Sequence, residues 1–374
     1  MQPFRFAIIS DPHVTLPHTL YDVPNRFHLV EVSIAALEGI LATLATADLD
    51  FLLLPGDLTQ HGERENHQWL AQRLRSLPVP AYVVPGNHDI ITPAGDDRTV
   101  GLGEFPTLYA DFGYGGATQP YYCREVGPGV RLLGLNSIAF DGAGAQLPYG
   151  WVDEAQLGWL RDTLAEPWEG LTLAMIHHNL LDHLPGQHRH PLGQRYSIRN
   201  RQALRDQLQA VPLLLTGHLH VQDVAQQGSL WEVTTGSLVS YPHPYRVVTV
   251  TPMADQVQVQ IESHRVQAVP DWPDLQGASL DWMRDRAIPF MTRLLSLPPF
   301  NLPAPEASRY APMLKDFWAT IAAGDGRFDE AHWPESIQRH LRAFGAVDAQ
   351  GCYRPIDNTT TLTLRQVAPV SGVG

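Results

Sequence analysis

The chain has 374 residues, with 26 Lys+Arg against 39 Asp+Glu for a net charge of −13, 44% hydrophobic residues and 17% charged ones. This excludes a disordered chain and allows two domains, or one large domain with an appendage; the acidity, with Lys315 the single lysine, argues against a protein that neutralises a nucleic-acid backbone. Two cysteines, Cys123 and Cys352, cannot form a disulfide framework, while 17 histidines are an excess that asks for a reason.

An apolar strand is expected over 4–10, which leaves no room for a secretory signal before it. Leu29, Val32, Ala36, Leu37, Ile40, Leu41 and Leu44 recur at helical spacing and predict a helix over 27–46. A strand at 51–54, a helix over 63–77 with Trp69, Leu70 and Leu74 on one side, and a strand at 81–84 follow. Strands are next expected at 130–135 and 171–176 around a helix at 153–165, then a helix at 199–209 leading into a strand at 212–215. This β-α alternation implies an α/β fold.

From 221 the pattern changes to consecutive strands, at 221–226, 229–235, 245–251 and 256–263. In the last, Val257, Val259 and Ile261 alternate with Gln256, Gln258, Gln260 and Glu262, as a half-buried antiparallel strand requires. A mixed sheet or two-sheet sandwich flanked by helices is expected. Near 266 the composition shifts to Pro, Trp and Leu, with helices expected at 279–297, 305–323 and 334–345 and an edge strand at 359–365. The chain therefore reads as a domain over 1–265 and a helical C-terminal extension over 266–374. No apolar run is long enough to span a membrane, and the cysteine usage suits a cytoplasmic protein.

The chemistry sits just past the strand ends. They deliver Asp11-Pro12-His13, Gly56-Asp57, Gly86-Asn87-His88-Asp89, His177-His178 and Gly217-His218-Leu219-His220. That edge of an α/β sheet is where ligands bind. Asp11 and His13, like His218 and His220, stand two residues apart and leave an extended segment on one face. Imidazoles and carboxylates without a nearby thiolate suit Mn, Fe, Zn or Co, and so many donors suit two ions sharing a carboxylate.

The motifs D-x-H, G-D-x-x-x-x-G, G-N-H-D, H-H and G-H-x-H, in that order over about residues 4–250, resemble the calcineurin-like metallophosphoesterases. Within that superfamily the chain looks most like bacterial phosphodiesterases that cleave cyclic nucleotides or glycerophosphodiesters, long cyanobacterial members above all. The resemblance implies a four-layer αββα sandwich holding two metal ions, Mn, Fe or Zn. One ion would be held by Asp11, His13 and His220 and the other by Asn87, His177 and His218, with Asp57 between them. It further implies hydrolysis of a small-molecule phosphoester, a diester in preference to a monoester, by hydroxide activated between the ions, with His88 as general acid. Phosphomonoesterase, nuclease and non-catalytic interaction module are the alternatives on the same fold.

Other polar residues have plainer readings. Asp89 caps its loop, and His178 is a packing neighbour or a hydrogen-bond donor behind the ligands. The 179–198 loop with His183, His188, Arg189, His190 and Arg195 reads as solvated, with a lining of the site's mouth that meets substrate oxygens as the sharper alternative, and His61 is a similar case. Arg246 is expected in a surface salt bridge, with pairing to phosphate as its alternative. The aromatic stretch around Trp282, Phe290, Phe300 and Phe317 reads as core or as a contact between subunits of a homo-oligomer, with a cap over the substrate as the sharper alternative.

Overall fold

Strands apolar on both faces must be covered on both sides. The strands at 51–54, 171–175 and 213–216 are buried throughout. The computed structural model describes residues 1–21, 26–328, 333–348 and 350–365. In chain order its elements are β1 (Phe4–Ile8), α1 (Ser33–Leu44), β2 (Phe51–Leu54), α2 (Arg64–Arg75), β3 (Ala81–Val83), α3 (Phe105–Leu108), β4 (Tyr122–Gly127) and β5 (Val130–Gly134). Next come α4 (Glu154–Ala165), β6 (Leu171–Met175), α5 (Arg201–Gln207), β7 (Leu213–Thr216), β8 (Asp223–Gln227), β9 (Leu230–Thr234), β10 (Pro244–Pro252) and β11 (Gln256–Arg265). The last are α6 (Leu275–Ser296), α7 (Ala304–Tyr310), α8 (Phe317–Ala322), α9 (Glu335–Leu341) and β12 (Thr359–Arg365).

They form two six-stranded mixed sheets, ordered β12-β11-β10-β1-β2-β3 and β4-β5-β6-β7-β9-β8. The central strands β1-β2-β3 and β5-β6-β7-β9 run parallel, and antiparallel strands finish the edges. The period of two sorts the second sheet cleanly. Leu132, Leu173, Met175, Leu213 and Leu215 enter the large core shared with the first sheet. Leu133, Ala174, Ile176 and Leu214 turn the other way, onto Leu157, Leu160 and Leu204 of α4 and α5. Leu37, Ile40 and Leu41 of α1 and Leu70 and Leu74 of α2 join the large core. The result is the helix-flanked two-sheet sandwich expected from the sequence.

Beyond 266, β12 pairs with β11 through Val259 opposite Leu362 and Ile261 opposite Thr360. The C-terminal helices bury Met291, Leu295, Leu314 and Phe317 around Leu219 and Val221, just past β7. Among the described residues no helix is long and apolar enough to cross a membrane.

Several elements differ from expectation, among them α3, which the sequence did not predict. α1 starts at Ser33 after a 3-10 turn, not at 27, because the Leu29 N–H donates to Val239 O at 2.6 Å and holds the preceding chain against another segment. The helix expected over 305–323 breaks into α7, a 3-10 turn at Ala311–Leu314 and α8, where Pro312 withholds a backbone donor. β4 was not foreseen; it is a half-exposed edge strand with Arg and Glu among its residues, so its apolar signal is weak.

Candidate metal centre

The parallel strands of both sheets point their carboxyl ends at one region, and the predicted residues lie there. The Asp11 N–H donates to Gly56 O at 3.2 Å and the His13 N–H to Asp57 O at 3.0 Å, which fixes the loop after β1 against the loop after β2. Asp11, His13, Asp57, His218 and His220 all have positive φ, from 40° to 67°. Such left-handed conformations cost a non-glycine residue roughly 1–2 kcal/mol each. Strain of this kind persists where surrounding contacts over-determine it, and it clusters at functional sites. Two glycines make the approach possible: a Cβ on Gly86 would land on Asp57 N and Oδ1, and one on Gly217 would land on Ser10 Oγ and Asp11 Oδ2.

The ligand atoms gather around two points. Asp11, His13, Asp57 and His220 bring one atom each to within 4.8 Å of one another, and so do Asp57, His177 and His218. Asp57 belongs to both groups: its Oδ2 is 3.8 Å from His13 Nε2 and 3.3 Å from His177 Nε2. Asn87 joins the second group, with Oδ1 at 3.1 Å from His177 Nε2. His220 Nε2 lies 3.2 Å from Asp11 Oδ1. His88 stands beside both groups: its backbone N–H donates to Asp57 Oδ1 at 2.8 Å.

Hydrogen bonds behind the rings decide which nitrogen faces inward. His177 donates from Nδ1 to Pro55 O at 2.8 Å, freeing Nε2. His218 donates from Nε2 to Arg195 O at 3.1 Å, freeing Nδ1. His88 donates from Nδ1 to Gln60 O at 2.6 Å, freeing Nε2. His13 is fully buried, and neither of its ring nitrogens has a hydrogen-bond partner. A buried imidazole with two idle nitrogens is costly unless something else engages it. With imidazole nitrogens, carboxylates, an amide oxygen and no thiolate, the donor set fits two ions of the Mn, Fe or Zn type.

The electrostatics favour the ligating form at Asp57, His13 and His218 and the protonated form at His177. Burial by itself would raise the Asp57 carboxyl, but the surrounding His177, His88 and His13 hold it well below the usual carboxylate range. Burial, reinforced by His88, pushes His13 well below the usual imidazole value, and burial with His178 and His177 does the same to His218. A neutral imidazole is the form that ligates. Burial also works against protonation of His177, but Asp57 overcomes it and raises that ring to about 9.

Around this centre, Asp89 accepts from Thr59 N at 2.9 Å and from Gly86 N at 2.8 Å, which pins the Gly86–His88 turn to the loop carrying Asp57. His178 hydrogen-bonds Ser137 Oγ through Nδ1 at 2.8 Å and lays its ring 4.1 Å from that of His218. His28 was missed by sequence reasoning: its ring centre is 4.6 Å from those of both His13 and His220, and the three rings offer a further group of close nitrogens. No local signal marks it, because the spacing of its neighbours reads as helix. A cavity of about 320 Å³ covers the centre, and Phe290 and Trp318 of the C-terminal helices stand in its wall.

Two expectations are corrected. Arg246 is not in a surface salt bridge: it is fully buried and donates to Asp357 O at 2.6 Å, Thr234 O at 2.8 Å and Ser263 Oγ at 3.0 Å. β10 is buried on both faces over its first five residues, and Arg246 lies among them. His183 is not solvated either. It is buried between Asp223, at 2.6 Å, and Glu232, at 3.1 Å, two partners from strands 40 or more residues away. His188 pairs with Asp182 at 2.6 Å, and His61 stays exposed beside Tyr21.

The family model for calcineurin-like phosphoesterases matches residues 4–222. The 3′,5′-cyclic adenosine monophosphate phosphodiesterase CpdA of Escherichia coli is 28% identical over 208 residues, 52% of this chain and 64% of that protein. The chain thus spans less than two thirds of that relative's length. A 3′,5′-cyclic-nucleotide phosphodiesterase of a Nostoc species is 27% identical over 220 residues, 57% of this chain and 71% of that protein. Among solved structures, a dimetal phosphatase from Danio rerio has the same fold at 15% identity, with a TM-score of 0.51 over 68% of this chain and 95% of that one.

Proposed function

The chain belongs to the calcineurin-like phosphoesterase family, and from that premise we propose that it is a dinuclear-metal phosphodiesterase acting on cyclic nucleotides or glycerophosphodiesters. The observation that carries this reading is the Asp57 carboxylate, shared between two clusters of donors. Asp11, His13 and His220 complete one site, and Asn87, His177 and His218 the other. Two bound cations would supply Lewis-acid catalysis, an activated water and the positive charge an acidic protein needs to attract phosphate.

The remaining work falls to the chain itself. His88 keeps its Nδ1 proton on Gln60 O, so Nε2 is the atom that holds and delivers a proton to the leaving oxygen. Asp89 keeps His88 and Asn87 in register with Asp57 by holding the Gly86 turn. Cys123 and Cys352 are both free, which fits a cytoplasmic location.

The test is a substrate screen with enzyme stripped by chelation and reloaded with Mn, Fe or Zn. Cyclic nucleotides and glycerophosphodiesters are expected to be cleaved faster than phosphomonoesters or nucleic acid. Asp57→Asn is expected to hold fewer metal ions per chain by elemental analysis and to lose on the order of 10³-fold or more in kcat/KM. Full turnover by the variant, or by the stripped enzyme, overturns the reading.

A further inference from the structure

Beside the metal cavity lies a second one, of about 290 Å³, which the proposed reaction leaves unused. Leu184 and Leu192, from the loop after β6, form one side, and Leu294, Phe300 and Phe344, from the C-terminal helices, form the other. Tyr196, Phe290 and Trp318 wall both cavities. The ring of Tyr196 stands 5.1 Å from that of His218, and the ring of Phe290 stands 5.4 Å from that of Trp318. The apolar cavity therefore begins one ring's breadth from the residues of the metal centre.

Some polar groups on its wall are engaged by the protein, while His190 Nε2 is buried without a hydrogen-bond partner. Gln187 Oε1 accepts from His183 N and Leu184 N, and its Nε2 donates to Asn179 Oδ1. His190 Nδ1 accepts from Leu192 N. The His340 ring packs edge-on against Phe300, and the Arg339 side chain is 75% exposed and faces Glu335. An occupant meets mostly carbon and aromatic faces, with His190 Nε2 as the buried polar atom and Arg339 as an exposed cation among the lining residues. The volume lies at the small end of ligand sites, about 300 Å³, which suits one short chain or ring and not a two-chain lipid.

We propose that this cavity is a substrate subsite: it seats the hydrocarbon arm of a phosphodiester whose phosphate lies at the metal centre. The selection of phosphodiesters by an apolar ester group then comes from the C-terminal helices. This rests on the phosphodiesterase reading above and, of its two substrate classes, favours acyclic diesters with one hydrophobic arm over cyclic nucleotides, which have no separate arm to seat. Hydrolysis breaks the bond from phosphorus to the other ester oxygen, water supplies the new oxygen, and the arm stays on the product monoester.

The experiment compares metal-loaded enzyme on methyl and hexyl p-nitrophenyl phosphate, which share a leaving group. The kcat/KM is expected to rise roughly fourfold for each methylene buried. Leu192→Trp, which fills the cavity from a half-buried loop position, is expected to bring the hexyl-to-methyl ratio close to one. Equal kcat/KM for the two esters in the unaltered enzyme, or a hexyl preference that survives the substitution, overturns the subsite. If neither ester is cleaved, the phosphodiesterase reading fails on its own. Calorimetry with hexylphosphonate and methylphosphonate then decides the subsite separately: tighter hexyl binding, lost in Leu192→Trp, supports it, and equal affinities refute it.

Discussion

Replacing Glu232 with Gln keeps the side chain's shape and removes one buried charge. In the structure Glu232 is fully buried. Its Oε1 accepts from Thr216 Oγ1 at 2.9 Å and Leu180 N at 3.1 Å and lies 3.1 Å from His183 Nε2, while Oε2 accepts from Leu181 N at 2.6 Å. A glutamine amide must turn its NH₂ toward one of these positions, so a donor meets a donor whichever way it is placed. His183 is left with Asp223 alone. Breaking a buried pair in this way costs about 3–5 kcal/mol. The imidazole gives an independent measure. Burial opposes its charge, but Glu232 and Asp223 outweigh that and lift His183 from 6.5 to about 10. A raised folded-state value means that the stabilisation is complete below about pH 6.5 and is lost as pH climbs through 10. A shift of that size corresponds to roughly 5 kcal/mol, at the upper end of the first figure. Thermal melts at pH 6.5 and near pH 10 are the assay. Glu232→Gln is expected to lower the melting temperature by about 5–10 °C at the lower pH and to flatten the alkaline loss seen in the unaltered protein. A shift under about 2 °C, or an alkaline loss that persists undiminished, would refute the reasoning.

His88→Gln is expected to lower kcat by about 10²–10⁴ for alkyl leaving groups. The loss should be much smaller for p-nitrophenolate, which departs without a proton, and metal content should be unchanged; an equal loss for both leaving groups contradicts the general-acid role. His28→Phe preserves the ring's stacking on His13 and its tilted contact with His220 and deletes two nitrogens. If His28 serves the first cluster, a chelator titration will show at least roughly tenfold weaker retention of one ion, the usual size of losses around a metal site; unaltered retention removes His28 from the cluster. Arg246→Met leaves the carbonyls of Thr234 and Asp357 without donors in the interior. Its urea midpoint should fall by the equivalent of about 3 kcal/mol, and a surface arginine would give no measurable change.

Much of this molecule is written in local chemistry. The continuous apolar runs at 171–176 and 212–215 specify strands buried on both faces, and alternation along the strand sends Leu173 and Ala174 to opposite cores. The polar residues after each strand are legible for the same reason. A glycine followed by Asp57, Asn87 or His218 marks a turn at a sheet edge, and the turn lies within a few residues of the side chain it aims. The long-range partners have no such local marker. His28 sits in a stretch whose apolar spacing reads as helix, and only the bond from Leu29 to Val239, across the fold, withholds that helix and swings the ring over the centre. His183 looks like a solvated loop residue until Asp223 and Glu232 arrive from other strands.

The positions of the apolar strands and the donors offered at their ends are legible in the chain, since each is set by neighbours close in sequence; the choice of two stacked sheets over one mixed sheet is not. Packing of distant segments brings Asp57 within reach of donors from both sheets and buries Arg246 and His183. It alone set Phe290 and Trp318 in the cavity wall. Each of these depends on a meeting of segments far apart in sequence, whose outcome is fixed by packing the whole chain at once.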